Sequence, residues 1–273
     1  MYEALPPSAD IDAFVATLQS QGARGFRFLS PLGATDGTVT ESASVFVKYA
    51  DASYTYEVKA ETADSAAFLA QANEAGARGF RWVGPLSLNG TAFFLYRKES
   101  NSNATYSYRA DPMPGSKADY LAQANALGSQ GYYNTAAFFQ FGGEARSVFE
   151  KDTTGNATYG YELGEFTSGE AEGMAQFNEK GTRGFRFRGP ASFPDGGAQT
   201  YVKDLSQSAT FSYEALDTQP TMAALIAQAN AQGARNFGFV GPLGIGGASK
   251  ILYYKPTNCA AAAVCVPTGP FGP

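Results

Sequence analysis

The stretch Ser53-Tyr54-Thr55-Tyr56-Glu57-Val58 alternates aromatic and polar residues, the two-residue period of a half-buried strand. From Asp64 to Ala75 the pattern changes, and Phe68, Leu69 and Ala72 fall on one face of a helix. Gly76 stands where that helix should close, because glycine takes the left-handed conformation of a helix C-terminus without steric cost. Phe80 and Trp82 then alternate with Arg81, Asn89-Gly90 is a two-residue hairpin signal, and Phe93 to Lys98 reads as a third strand. The segment predicts β-α-β-β.

The chain repeats it five times. The helix-closing glycines Gly22, Gly76, Gly128, Gly181 and Gly233 are spaced by 54, 52, 53 and 52 residues, and each follows a strand tyrosine (Tyr2, Tyr56, Tyr108, Tyr161, Tyr213) by 20. The units read as 1–51, 52–103, 104–156, 157–208 and 209–255, forming one repeat domain, 1–255, with a Pro/Gly-rich tail at 256–273. The fold class predicted is α+β, with fifteen strands and five helices. A unit this small must bury its apolar face against its neighbours. Closure into a pseudo-fivefold α/β propeller removes exposed sheet edges and is the expectation; an open solenoid is the alternative.

The unit resembles a small bacterial domain family of unknown function, in which a Y-x-Y strand precedes a helix ending in G-x-x-G-W and a strand ending in Lys or Arg. Tyr54, Tyr56, Gly76, Gly79, Phe80, Trp82 and Lys98 carry the likeness, but the aromatic after the second glycine position is Phe or Tyr in every unit. In cyclic β-α-β-β order alone, the chain is similar to the α/β propeller of the pentein superfamily and of a ribosome anti-association factor. The guanidine-modifying enzymes of that superfamily rely on Cys and His. The absence of His here implies a noncatalytic member.

Lack of His also removes Ser-His-Asp and His-metal chemistry, and no Walker loop, nucleophile elbow or dinucleotide fingerprint is present, so no enzyme activity, cofactor or metal is expected. A net charge of −5 opposes nucleic-acid binding, and no apolar run is long enough to span a bilayer. Cys259 and Cys265 in CAAAAVC suit a local disulfide, and the first strand is short of its counterparts at its start. Both features point to export to the periplasm or cell exterior after loss of an upstream signal. The acids Glu162, Glu165, Glu170 and Glu172 are the densest carboxylate cluster and give a weaker hydrolase reading. The many aromatics and three sequons leave a glycan-binding module as the second reading.

Four units carry a Glu after the strand tyrosine and an Arg two residues after the helix glycine: Glu3 with Arg24, Glu57 with Arg78, Glu162 with Arg183, Glu214 with Arg235. These read as structural ion pairs. Unit 3 changes both positions, to Arg109 and Gln130, as a pair would after one partner reversed sign. Arg27, Arg81 and Arg186 read as solvated strand ends, or, should they converge on a ring axis, as a basic channel mouth. Unit 3 also replaces Gly-Pro-Leu with Thr135-Ala136-Ala137. Its Tyr132, Tyr133, Phe138, Phe139 and Phe141, together with Phe271 of the tail, are the candidate partner surface, with a repacked unit interface as the alternative. The expected function is a noncatalytic exported binding or assembly scaffold that contacts a larger protein complex or copies of itself.

Overall fold

A computed structural model describes residues 1–49, 52–260 and 265. Unit 1 comprises β1 (Tyr2–Leu5), α1 (Ile11–Ala23), β2 (Arg27–Thr35) and β3 (Thr40–Val47); unit 2 comprises β4 (Tyr54–Ala60), α2 (Ser65–Ala77), β5 (Arg81–Leu88) and β6 (Thr91–Glu99). Unit 3 follows with β7 (Tyr106–Pro112), α3 (Lys117–Gly128), β8 (Tyr133–Phe141) and β9 (Glu144–Asp152), and unit 4 with β10 (Tyr159–Gly164), α4 (Glu170–Thr182), β11 (Arg186–Phe193) and β12 (Gly196–Asp204). Unit 5 has β13 (Thr210–Asp217), α5 (Met222–Ala234), β14 (Gly238–Ile245) and β15 (Ala248–Thr257). Each unit forms its own antiparallel three-stranded sheet with the third strand in the middle, so the first strand lies beside the last rather than beside the second. The fold is α+β, and the repeat is the predicted one.

Asp10, Asp64, Ser116 and Thr221 cap four helices by accepting from the backbone amide three residues on. Gly169 offers no such cap, but Glu170 and Glu172 lie in the first turn of α4, where the helix dipole favours them. Each helix packs on its own sheet and on the first strand of the next unit. The core is aromatic throughout, with Phe68, Trp82, Phe94 and Phe141 packed together in units 2 and 3.

The helix glycines do something other than close the helices. Gly22, Gly76 and Gly181 lie inside the last turn, and Gly128 ends α3. A methyl group there would stand 2.1 Å from Tyr54 O at Gly22, 2.2 Å from Tyr106 O at Gly76, 2.2 Å from Tyr159 O at Gly128 and 2.1 Å from Phe211 O at Gly181. Glycine is therefore the contact point with the next unit's first strand. The left-handed residue comes three positions later, in the Arg-Gly-Phe step: Gly25 has φ +84°, and in unit 5 Asn236 fills the role at φ +67°.

Next to the glycine, a side-chain amide clamps the backbone of the following tyrosine. Asn73, Asn125 and Asn178 accept from the amides of Tyr108, Tyr161 and Tyr213 at 2.8 Å, while Gln19 accepts from Tyr56 at 3.3 Å. The tyrosine hydroxyls in turn accept from second-strand amides one unit back. Phe28 N donates to Tyr56 Oη, Trp82 N to Tyr108 Oη, Asn134 N to Tyr161 Oη and Phe187 N to Tyr213 Oη, all at 2.7–2.8 Å. Unit 5 meets unit 1 in the same manner: Tyr2 N donates to Asn230 Oδ1 at 2.7 Å, and Phe239 N donates to Tyr2 Oη at 2.8 Å. Hairpins also reach helix N-termini one unit back, as where Glu41 of unit 1 accepts from Met222 N of unit 5 at 2.6 Å.

Candidate functional site

The register aligns one row of three side chains in each sheet: Tyr2, Val47, Arg27; Tyr56, Arg97, Arg81; Tyr108, Glu150, Tyr133; Tyr161, Val202, Arg186; and Tyr213, Tyr254, Gly238. Partners across adjacent strands share a face of the sheet. Rows of neighbouring units meet: Arg81 of unit 2 reaches Glu150 of unit 3, and Arg186 of unit 4 lies 4.9 Å from the Tyr254 ring of unit 5. The Tyr254 phenol of unit 5 feels Arg186 of unit 4, Arg27 and Tyr2 of unit 1, and Tyr133 of unit 3. Tyr159 of unit 4 likewise feels Arg81 of unit 2 and Glu150 of unit 3.

Reading Arg27, Arg81 and Arg186 as solvated strand ends is thereby corrected. Arg27 is 6% exposed and Arg186 3%, because the row they occupy faces the other units rather than water. Arg97 joins them through its direct register pairing with Arg81. Its signal in the sequence is a charge immediately before the repeat lysine, and Glu150 holds the equivalent place in unit 3.

Arg81 has a buried carboxylate partner. Its Nε donates to Glu150 Oε1 at 2.6 Å, and Tyr108 Oη donates to Glu150 Oε2 at 2.7 Å, which uses both oxygens of an acid that is 2% exposed. Arg27 stacks on Tyr49, with 5.5 Å from Cζ to the ring centroid, and its Nη2 is buried without a hydrogen-bond partner. Arg97 sits 5.9 Å from the Tyr54 ring. Burial pulls the Arg97 guanidinium below its ordinary value, and the neighbouring charges of Arg27 and Arg81 add to that. Burial pushes the Tyr54 and Tyr254 phenols above theirs, so they remain hydroxyl donors. A buried guanidinium with no anion beside it costs several kcal/mol.

At the outer ends of the sheets, Arg24 meets Glu3 at 2.9 Å, Arg235 meets Glu214 at 2.7 Å, Arg78 meets Glu57 at 2.5 Å, and Arg183 pairs with Glu162. Each of these arginines also lies over the aromatic that follows the left-handed residue, and the repeat lysine lies near the same ring. In unit 1, Arg24 and Lys48 are 4.9 and 6.0 Å from the Phe26 centroid. Unit 3 keeps the arrangement by another route. Arg109, on the strand rather than the helix exit, is 5.8 Å from the Tyr132 ring, with Lys151 at 5.7 Å. The double change at Arg109 and Gln130 thus preserves a cation over the ring, and Arg109 pairs with Asp111 at 3.1 Å.

The candidate partner surface of unit 3 divides. Phe138 is half exposed, but Tyr133 and Phe141 are each 1% exposed, and Phe139 packs on Trp82 and Phe94. Phe139 and Phe141 repack the boundary with unit 2 beside Phe68, Trp82 and Phe94, whereas Tyr133 packs on Tyr159 of unit 4. Phe271 lies outside the described residues. Cys259 and Cys265 are joined by a disulfide, and Cys265 is buried among residues of units 4 and 5. The acidic cluster disperses: Glu162 binds Lys180 and Arg183, Glu165 pairs with Lys117, and Glu170 with Lys250. Among the described residues no helix is long and apolar enough to cross a membrane.

Comparison with protein-family models, curated proteins and solved structures found no match.

Proposed function

We propose that the five units close into a pseudo-fivefold α/β propeller, and that this ring is a noncatalytic exported scaffold for binding or assembly. The observation that carries the reading is the junction of unit 5 with unit 1. The clamp on the Tyr2 backbone and the hydroxyl of Tyr2 against Phe239 repeat the contacts made at the other boundaries, and the hairpin carboxylate of Glu41 on the α5 N-terminus matches Asp195 on the α3 N-terminus. The amide clamp on the tyrosine backbone and the bond to its hydroxyl recur at the boundaries between units, which favours a ring over a solenoid, whose two ends would be left uncapped. The disulfide fits an oxidising compartment. Half-exposed Phe138, Phe166 and Leu205 offer apolar contacts for a protein partner or a second copy.

The repeated aromatics are buried, or covered by Arg and Lys, which removes the main support for a glycan-binding surface. Sedimentation velocity over a range of concentrations tests the assembly reading. Self-association that Phe138→Ser weakens supports a second copy as partner, and a monomer at all concentrations directs the search to another protein. Small-angle scattering tests the ring, since an elongated particle would exclude it.

A further inference from the structure

We propose that the cavity between units 1 and 2 is a binding site for a neutral single-ring aromatic compound bearing one hydroxyl, of the phenol class. The cavity measures about 210 Å³ and lies beside the first turn of α1, between the β2–β3 hairpin of unit 1 and the β5–β6 hairpin of unit 2. An apolar cavity of about 150 Å³ accepts a benzene ring, so this one has room for a ring and a small substituent. Because units 1 and 2 are consecutive, the site does not rest on closure of the ring.

A large side chain is missing from the unit 1 sheet. Pro31 is the register partner of Ser44, as Pro85 is of Phe94 in unit 2, Pro190 of Gln199 in unit 4 and Pro242 of Ile251 in unit 5. Phe94, Gln199 and Ile251 are all buried, and Phe94 packs on the helix aromatic Phe68 at 5.4 Å and on Trp82 at 5.9 Å. Unit 1 keeps the counterparts of both neighbours, Phe14 and Phe28, with ring centroids 5.5 Å apart, but has serine where unit 2 has the third ring. The facing hairpin does not fill the gap. Phe141 of unit 3 packs on Phe68 at 4.8 Å and Phe193 of unit 4 on Tyr120 at 5.0 Å, whereas Leu88, which ends β5 as Phe141 ends β8, is only half-buried. A phenyl ring is thus missing at two places around Phe14, and an aromatic guest supplies one.

A polar group is also left unused. Ser44 is 7% exposed and lines the cavity, and its hydroxyl makes no hydrogen bond among the described residues. Unit 3 has serine at the same distance before the repeat lysine, but there Ser147 donates to Ala137 O at 2.7 Å. Phe46, two residues beyond Ser44, packs on Phe28 at 5.6 Å, and alternate residues of a strand share a face, so Ser44 and Ser42 lie on the side that carries these rings. None of the side chains lining the cavity is ionisable, and a charged guest would lose its hydration there without gaining a partner. A ring with one hydroxyl pairs with Ser44 and leaves its carbons to Phe14, Phe28, Phe93 and Leu86.

Amide chemical shifts of the isotope-labelled full chain, followed during titration with phenol, test the site. Phenol should move the amides of Phe14, Ser44 and Leu88 saturably, with a Kd of about 1 mM or tighter. Cyclohexanol keeps the hydroxyl but not the aromatic ring and should bind about tenfold more weakly or worse. Benzoate at neutral pH should give no saturable shift. Ser44→Ala should weaken phenol about three- to tenfold and leave benzene unchanged. Ser44→Phe, which copies Phe94, should abolish phenol binding; should that chain fail to fold, Leu88→Phe, which copies Phe141, makes the same test. No saturable shift at these amides, equal affinity for cyclohexanol or benzoate, phenol affinity unchanged in Ser44→Ala, or phenol binding retained in a folded cavity-filling variant would overturn the proposal.

Discussion

Tyr2 Oη accepts a hydrogen bond from the backbone amide of Phe239 at 2.8 Å, joining residues 237 positions apart. Tyr56 makes the same bond to Phe28 N within the array. Removing either hydroxyl leaves a buried amide unpaired, at a cost of about 1–3 kcal/mol. A closed ring predicts that Tyr2→Phe and Tyr56→Phe destabilise by similar amounts, measured by urea unfolding. In an open array the terminal bond would fray, and Tyr2→Phe would cost far less.

The five helix glycines are not equivalent. At Gly76 a methyl group would meet Tyr106 O at 2.2 Å, so Gly76→Ala must push the neighbouring strand away at a cost of about 1–3 kcal/mol or more. Near Gly233 the closest atom is Tyr2 Cε2 at 3.6 Å, an ordinary contact. There the helix propensity of alanine should prevail, and Gly233→Ala should stabilise by about 0.5–1 kcal/mol. Thermal unfolding of the two variants should move Tm in opposite directions.

These glycines show which parts of the structure the sequence could disclose. Spacing and alternation sufficed for the repeated order of strands and helices, because each element is set by local periodicity. The glycine's partner was not legible, because Tyr106 O belongs to another unit and nothing within α2 signals its approach. The arginine row had the same obscurity. Arg27 and Arg81 alternate with aromatics as a solvent-facing residue would, and only the register with Val47 and Arg97 places them inward. In unit 3 the charge change was visible, but its purpose required Tyr132 and Arg109 to be seen together.

The unit 3 exchange makes a separable prediction. Arg109→Glu restores the residue type of the other units, yet it removes the cation from Tyr132 and puts a carboxylate beside Asp111. The single change should lower stability by about 0.5–1 kcal/mol, the scale of an exposed cation–π contact. Adding Gln130→Arg supplies both the ion pair and the ring contact found in unit 1, and stability should recover. A double-mutant cycle in chemical denaturation measures this coupling, and additive effects would mean that the two positions act independently.

Acid should weaken the fold through the outer ion pairs. The hydrogen bond from Arg78 holds the Glu57 carboxyl below its ordinary value of 4.5, and Arg235 does the same for Glu214. At Glu162 burial acts upward, but the bonds from Lys180 and Arg183 outweigh it. A carboxyl whose value is depressed in the folded state binds its proton more readily when unfolded, so its contribution is present above pH 4.5 and is lost as pH falls below that. Tm should therefore stay nearly level from pH 7 to about 5 and fall more steeply below pH 4.5. Because these pairs are largely exposed, added salt should flatten part of the decline. Replacing Glu57, Glu162 and Glu214 together by Gln should reduce the slope below pH 4.5, and an unchanged slope would assign acid sensitivity to other carboxylates.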